Sequence, residues 1–226
     1  MKNYICIIPA RGGSKSVKNK NLKEVNNKPL LYYAITSAIK SNKFSNIIVT
    51  SDSKKILDYS KKFNITLHKR SKKNSRNNST THDTIKEVIN NNVDTYRKNI
   101  VILQPTSPFR KSKHIVEAIN KFEKFKDADS LVSIQKCSHN MIPESLMKLS
   151  GNYLAFNKKN NLFRKQDKPT YYARNGAAIY ITKYDKIDKY IIGGKILYYL
   201  MNKIDSIDID DEEDLKIARL LSKNIL

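Results

Sequence analysis

Two cysteines, Cys6 and Cys137, are all that the 226-residue chain offers for cross-linking, and they form no Cys-x-x-Cys pair. That excludes a disulfide scaffold and a cysteine zinc finger. Histidine is scarce as well. His68, His82, His114 and His139 show no zinc-ligand spacing, and no Ser-His-Asp or Cys-His grouping can be assembled around them. No apolar run approaches the ~20 residues of a membrane span. The best short run, residues 4–8, stops at Pro9 and has no small-residue cleavage site after it. A cytoplasmic protein with neither signal peptide nor membrane partner is therefore expected. Acidic residues are few, 21 Asp+Glu against 43 Lys+Arg, giving a net charge of +22. So basic a balance is the electrostatic footprint of nucleic-acid binding. Here, however, the cations are scattered over every segment, Lys and Asn are enriched throughout, and no nucleic-acid-binding motif is present. A specific nucleic-acid partner is not expected.

What is present is patterned. The hydrophobic fraction is 39% and the mean hydropathy −0.58, too apolar and too periodic for a disordered chain. The length suits one domain with a sizeable core. β-branched apolar runs at residues 3–9, 46–50, 99–103, 130–135 and 177–182 read as strands, and residues 65–68 as a shorter one. Between them, residues recur at helical spacing: Leu30, Leu31, Ala34, Ile35, Ala38 and Ile39; Ile56, Leu57, Ser60 and Phe63; Ile85, Val88 and Ile89; Ile115, Val116, Ile119 and Phe122. Pro29 suits a first helical position, and residues 211–221 read as a helix with an acidic start. Residues 70–81 read as loop. Strand–helix units of about 25–30 residues predict an α/β fold: a Rossmann-like, mainly parallel sheet with helices on both faces. Residues 137–174 break the rhythm and read as an inserted subdomain or oligomer contact.

Ligands in such sheets bind at the carboxyl ends of the strands, near a topological switch point. That rule selects residues 11–21, Ser51-Asp52, residues 104–110 and the Asp208-Ile209-Asp210 segment. The first loop joins Gly12 and Gly13 to Arg11, Lys15, Lys18, Lys20 and Asn21, a combination able to neutralise and orient phosphate oxygens. It matches neither Gly-x-x-x-x-Gly-Lys-Ser/Thr nor Gly-x-Gly-x-x-Gly, so on spacing alone an ordinary basic surface loop is the alternative reading. Asp208 and Asp210, alternate residues of an extended chain, can present both carboxylates to one hard cation such as Mg²⁺. Equally, Asp210 or Asp211 could cap the helix that follows.

Several stretches together resemble the acylneuraminate cytidylyltransferases (CMP-sialic acid synthetases). They are Ile8-Pro9-Ala10-Arg11-Gly12-Gly13-Ser14-Lys15 with Lys20-Asn21, Ser51-Asp52-Ser53, Lys69-Arg70, Leu103-Gln104-Pro105-Thr106-Ser107-Pro108-Phe109-Arg110, Asn175-Gly176-Ala177 with Ile179-Tyr180-Ile181, and Ile207-Asp208-Ile209-Asp210. They follow the family's order and cover nearly the whole chain. The resemblance implies one nucleotidyltransferase domain, residues 1–226, that transfers CMP from CTP to a nonulosonic acid, releases pyrophosphate and requires Mg²⁺ or Mn²⁺. It implies catalytic roles for Arg11, Lys15, Lys20 and Asp210, and nucleotide contacts from Ala10, Arg11, Asn21, Arg70 and Thr81. Sugar contacts are implied for Gln104, Asn175, Gly176 and Tyr180, and metal ligation for Asp208 and Asp210. Residues 137–174 would be a homodimerisation arm, with Arg164 and Gln166 reaching the partner's site. Ser16, Asn74-Ser75 and Asn77 depart from the family's pattern. The alternatives are another sugar nucleotidyltransferase, such as a CMP-Kdo synthetase, or a basic RNA-associated module.

Overall fold

The N-terminal apolar run lies at the centre of a sheet. In the computed structural model, which describes residues 2–14, 16–76, 79–92, 95–157, 164–223 and 225, β1 (Tyr4–Pro9) pairs in parallel with β4 (Phe44–Ser51) on one side and β6 (Asn99–Ile102) on the other. A strand covered on both faces needs apolar side chains pointing both ways, which is why its sequence is a continuous run and not an alternation. Tyr4, Cys6 and Ile8 enter one core with Val49, Val101 and Leu103. Ile5 and Ile7 enter the opposite one with Ile48, Ile100 and Ile102. Helices α1 (Leu30–Ser41) and α4 (Ser112–Lys124) cover the first face, while Ile85 and Val88 of α3 (Thr81–Asn90) cover the second. Helix α2 (Lys54–Ser60) adds Ile56 to the first core.

Beyond β4 the sheet continues with β5 (Thr66–Lys69). On the other side of β6 comes β11 (Tyr180–Thr182), antiparallel, followed by β7 (Ser130–Lys136). β7 carries β10 (Tyr172–Arg174) antiparallel and β12 (Ile196–Leu200) parallel, completing eight strands. The chain leaves β1 toward β4 but lays β6 on β1's opposite side, so the switch point falls between the ends of β1 and β6.

Three expectations need correction. Pro29 belongs to β3 (Lys28–Pro29), which pairs with β2 (Glu24–Val25), and is the N-cap of α1 with φ −62° and ψ 152°, outside the first turn. The run 177–182 yields only Tyr180–Thr182 as strand, because Asn175 to Ile179 bend away between β10 and β11. The loop 70–81 contains a 3₁₀ turn, Lys73–Ser75. Within 137–174, β8 (Met147–Ser150) and β9 (Tyr153–Phe156) form an isolated hairpin whose every residue is exposed. Helix α5 (Glu212–Ser222) packs Leu215 and Ala218 on Val17, Val25 and Leu30. No helix among the described residues is long and apolar enough to cross a membrane.

Candidate active site

The loops at the switch point enclose a cleft of about 480 Å³ lined by Arg11, Lys20, Asn21, Arg70, Gln104 and Asp210, together with Ser79, Thr80, Thr81 and Thr84 of the α3 entry. Each side chain arrives on a strand end or a helix start. Ala10 extends β1, donating its N–H to the Thr50 carbonyl at 3.0 Å. Gly12 follows, its N–H held by Asp52 Oδ1 at 2.8 Å. A Cβ at that position would lie 2.7 Å from Ser53 Cβ, so only glycine lets the two loops approach this closely. Asn21, buried, donates Nδ2 to the Arg11 carbonyl at 2.8 Å and so fixes the backbone that presents Arg11.

Lys20 joins the first loop to the last one. Its ammonium donates to the carbonyls of Ile209 (2.9 Å) and Asp210 (2.7 Å) and lies 3.7 Å from Asp210 Oδ1. Ser16 donates its hydroxyl to the same Asp210 carbonyl. Ile209 donates its N–H to Thr106 O at 2.9 Å, tying the aspartate segment to the Gln104 loop.

The two aspartates occupy different environments. Asp208 is largely enclosed, and its Oδ1 has no hydrogen-bond partner among the described residues. Burial pushes its carboxyl above the usual range, opposed by the Thr106 hydroxyl and Lys20 and reinforced by Asp210. An anionic oxygen without a donor, beside a second carboxylate, is a ready partner for a cation. The side chain of Asp210 is 83% exposed and lines the cleft. Capping belongs to Asp211, whose Oδ1 accepts from the N–H groups of Glu213 and Asp214, each at 2.9 Å, while Asp214 accepts in return from Asp210 and Asp211. No group of three or more His, Cys, Asp or Glu with metal-binding geometry occurs among the described residues.

The other expected residues scatter. Arg70 is buried at the cleft wall and donates Nη2 to Thr50 O at 3.2 Å, and burial lowers its guanidinium pKa. Gly176 adopts φ +63° against Asp208, where a Cβ would come 2.3 Å from Oδ2. Tyr180 donates its hydroxyl to the Gly176 carbonyl at 2.5 Å, and the ring is half-buried and stays out of the cleft lining. The Asn175 side chain is buried at 2% exposure and spent inward, accepting from Ser133 Oγ at 2.7 Å and donating to Ser206 Oγ at 3.0 Å. Its place here is to hold the Gly176 bend. Arg164 and Gln166 flank and occupy an exposed 3₁₀ turn, Lys165–Asp167, away from the cleft lining. Lys15 and Asn77 lie outside the described residues. The threonines opening α3 were not singled out, apart from Thr81, although Thr80-Thr81-His82-Asp83 spells a capping box: Thr80 Oγ1 accepts from Asp83 N at 3.0 Å, and Asp83 accepts from Thr80 N at 3.1 Å.

A family model described as cytidylyltransferase matches residues 5–225. The N-acylneuraminate cytidylyltransferase of Escherichia coli O18:K1:H7 is 30% identical over 95% of this chain and 51% of its own length. N-acylneuraminate cytidylyltransferase A of Danio rerio is 32% identical over 96% of this chain and 50% of its own. The chain thus spans about half the length of these curated relatives. Post-translational flagellin modification protein B of Campylobacter coli, 26% identical, is matched over 99% of this chain and 96% of its own length. Among solved structures, CMP:2-keto-3-deoxy-manno-octonic acid synthetase complexed with CTP superposes with a TM-score of 0.75 at 15% identity over 99% of both chains, a likeness of fold.

Proposed function

Because this chain belongs to the cytidylyltransferase family, we propose that it transfers CMP from CTP to a nonulosonic acid of the sialic type, releasing pyrophosphate. The names of its N-acylneuraminate cytidylyltransferase relatives support the sugar class. The observation that carries the reading is the clamp of Lys20 on the Ile209 and Asp210 carbonyls, which ties the basic first loop to the aspartate segment and sets Arg11, Lys20 and Asp210 along one cleft at the switch point.

In this reading the sugar hydroxyl attacks the α-phosphorus opposite the departing pyrophosphate, and the protein's part is positioning and charge neutralisation. Arg11 and Lys20 face the phosphates from the first loop, with Lys15 beside them in sequence. Arg70 on one side and Thr80, Thr81 and Thr84 on the other receive the nucleoside, and Gln104 offers an amide to the sugar side. Asp208 and Asp210 would hold Mg²⁺ or Mn²⁺, with phosphate oxygens completing the shell. The metal would supply neutralisation of the phosphate charge at the reacting centre. The orphaned Asp208 Oδ1 fits such an ion. The described cleft lining holds no histidine or glutamate, so no side chain is assigned as general base.

The active form in this reading is a homodimer. A two-stranded hairpin does not support itself in water, yet β8 and β9 expose Leu149 (84%) and Tyr153 (79%) with Leu154 and Phe156 beside them. A second copy covering this arm would bury those side chains and could carry Arg164 and Gln166 to the neighbouring site. We also propose a cytoplasmic location, a compartment that suits the unpaired Cys6 and Cys137.

Pyrophosphate release tests the proposal, using CTP, UTP, ATP and GTP against neuraminic, legionaminic and pseudaminic acids and Kdo, with and without chelator. CTP with one of the first three acids, silenced by chelation, is the expected outcome. Turnover with Kdo alone would establish the other sugar class, and no release with any pair would refute the reading.

A further inference from the structure

Helix α3 does more than line the cleft. Thr80, Thr84 and Glu87 follow one another at i, i+4 and i+7, a spacing that places them on one helix face. The two threonines line the cleft. One turn deeper, the Glu87 side chain is 12% exposed and accepts every donor that the loop after β5 turns toward it. Oε1 accepts from Ser71 N at 2.7 Å, Oε2 accepts from Ser71 Oγ at 2.9 Å, and Asn74 donates Nδ2 to Oε2 as well. The loop is also closed on itself, with Ser75 Oγ donating to the Ser71 carbonyl at 2.6 Å. Behind the carboxylate stands His68, whose Nε2 lies 3.9 Å from Oε1 and 3.2 Å from Asn91 Nδ2.

Arg70, the cleft residue of this loop, sits between His68 and Ser71. Its backbone N–H donates to Ser51 O at 2.9 Å and its Nη2 donates to Thr50 O. One wall of the nucleoside end of the cleft is therefore Arg70 and the other is the α3 threonines. Among the described residues, the Glu87 cluster joins those walls through ionised, charge-assisted bonds. Asn74 supplies a hydrogen bond to Glu87, and Ser75 the loop's internal closure.

We infer that Glu87 is a positioning residue for the nucleotide: it locks the Ser71–Asn74 loop to α3 and so holds Arg70 and Thr80, Thr81 and Thr84 at the spacing that the nucleoside requires. It touches no substrate. The inference rests on the proposed reading of the cleft as a CTP site. Its signature is a defect in nucleotide binding without one in chemistry, because apparent affinity falls by the fraction of molecules whose site is assembled.

The variants are Glu87→Ala, Glu87→Gln and Asn74→Ala, with CTP·Mg²⁺ binding followed by calorimetry, steady-state kinetics, and hydrogen exchange of the 71–76 amides. If the free loop is assembled in about one molecule in ten, Glu87→Ala raises both Kd and KM for CTP about tenfold. In that case kcat and the KM for the sugar acid stay within twofold of wild type. Asn74→Ala raises them less, Glu87→Gln retains part of the affinity, and Glu87→Ala/Asn74→Ala is no worse than Glu87→Ala, since both act on one contact. Exchange at Ser71 accelerates in Glu87→Ala whether or not nucleotide is present. A folded Glu87→Ala with unchanged CTP affinity, or with kcat and both KM values degraded together, would overturn the inference. Should Glu87→Ala fail to fold, Asn74→Ala carries the same test on an exposed loop. Wild type that binds no CTP would instead refute the functional reading, and the exchange rates would then decide the clamp: unchanged Ser71 exchange overturns it.

Discussion

Neighbouring aspartates with separate duties permit a sharp test, because Asp210→Asn and Asp211→Ala should fail in opposite ways. Asp211 Oδ1 accepts two α5 N–H groups at 2.9 Å and its own N–H is held by Asp214, so its removal orphans the helix start. Loss of such a cap costs about 1 kcal/mol, within a range of roughly 0.5–2. For a domain of this size that lowers Tm by about 2–4 °C. The side chain of Asp210, in contrast, is 83% exposed and its nearest cation, Lys20, is 3.7 Å away. A carboxylate so exposed, at the far end of so long an ion pair, adds little to stability. In the proposed site, however, its carboxylate helps hold the cation where charge develops, and losing it should lower turnover by roughly 10²-fold or more. The assay is pyrophosphate release at saturating CTP, with thermal melts of the same preparations. Asp211→Ala should keep turnover within about threefold, the range expected when only a surface cap is lost. A stable but inactive Asp211→Ala, or a destabilised but active Asp210→Asn, would refute the division of labour.

Gly176→Ala places a methyl 2.3 Å from Asp208 Oδ2 at φ +63°, so the carboxylate must move. Turnover should collapse while the melting transition falls by only a few degrees, since the left-handed strain itself costs about 1 kcal/mol; a near-normal rate would mean that Asp208 can shift without loss. Burial raises the Asp208 pKa, so the folded state prefers the protonated form and this group's contribution to stability is lost as pH rises through the carboxylate range. Metal-free Asp208→Asn should therefore melt at or above wild type at neutral pH, with the gap closing as pH falls, even though its turnover is lost. In the metal-free protein, Mg²⁺ should have to displace a proton from Asp208 already above the usual aspartate range, so its binding should weaken on acidification through that range. For the dimer, mixing inactive Arg164→Ala with inactive Asp208→Asn chains should restore about a quarter of wild-type activity if Arg164 acts across the interface; recovery of nothing from exchanged dimers would place both residues in one subunit's site.

How much of this was legible in the sequence follows from the range of each interaction. The parallel strands were readable because burial on both faces demands unbroken apolar runs, as in Tyr4–Pro9, and the helices because one face must be apolar every three or four residues. The switch-point rule then pointed to the loops carrying Arg11, Lys20, Gln104 and Asp210, which the fold does bring to one cleft. Edge and antiparallel strands were less visible. The apolar partner face of Ile196–Leu200 is only half covered, and the apolar run 177–182 marked a strand but did not show that its first half is a bend, leaving only Tyr180–Thr182 as strand. Periodicity reports burial but does not say which partner a polar side chain finds. Asn175 carries the same amide whether it faces a sugar or, as here, Ser133 and Ser206. The choice of Asp211 over Asp210 as cap turns on the backbone angle at the helix start. Glu87 sits 16 residues from Ser71 along the chain, and their meeting depends on how α3 packs beside β5. Local composition and period thus determined the elements and the loops that could carry chemistry, whereas pairings of polar groups distant in sequence were decided only by tertiary packing, because a hydrogen bond depends on direction and proximity that no short window of sequence contains.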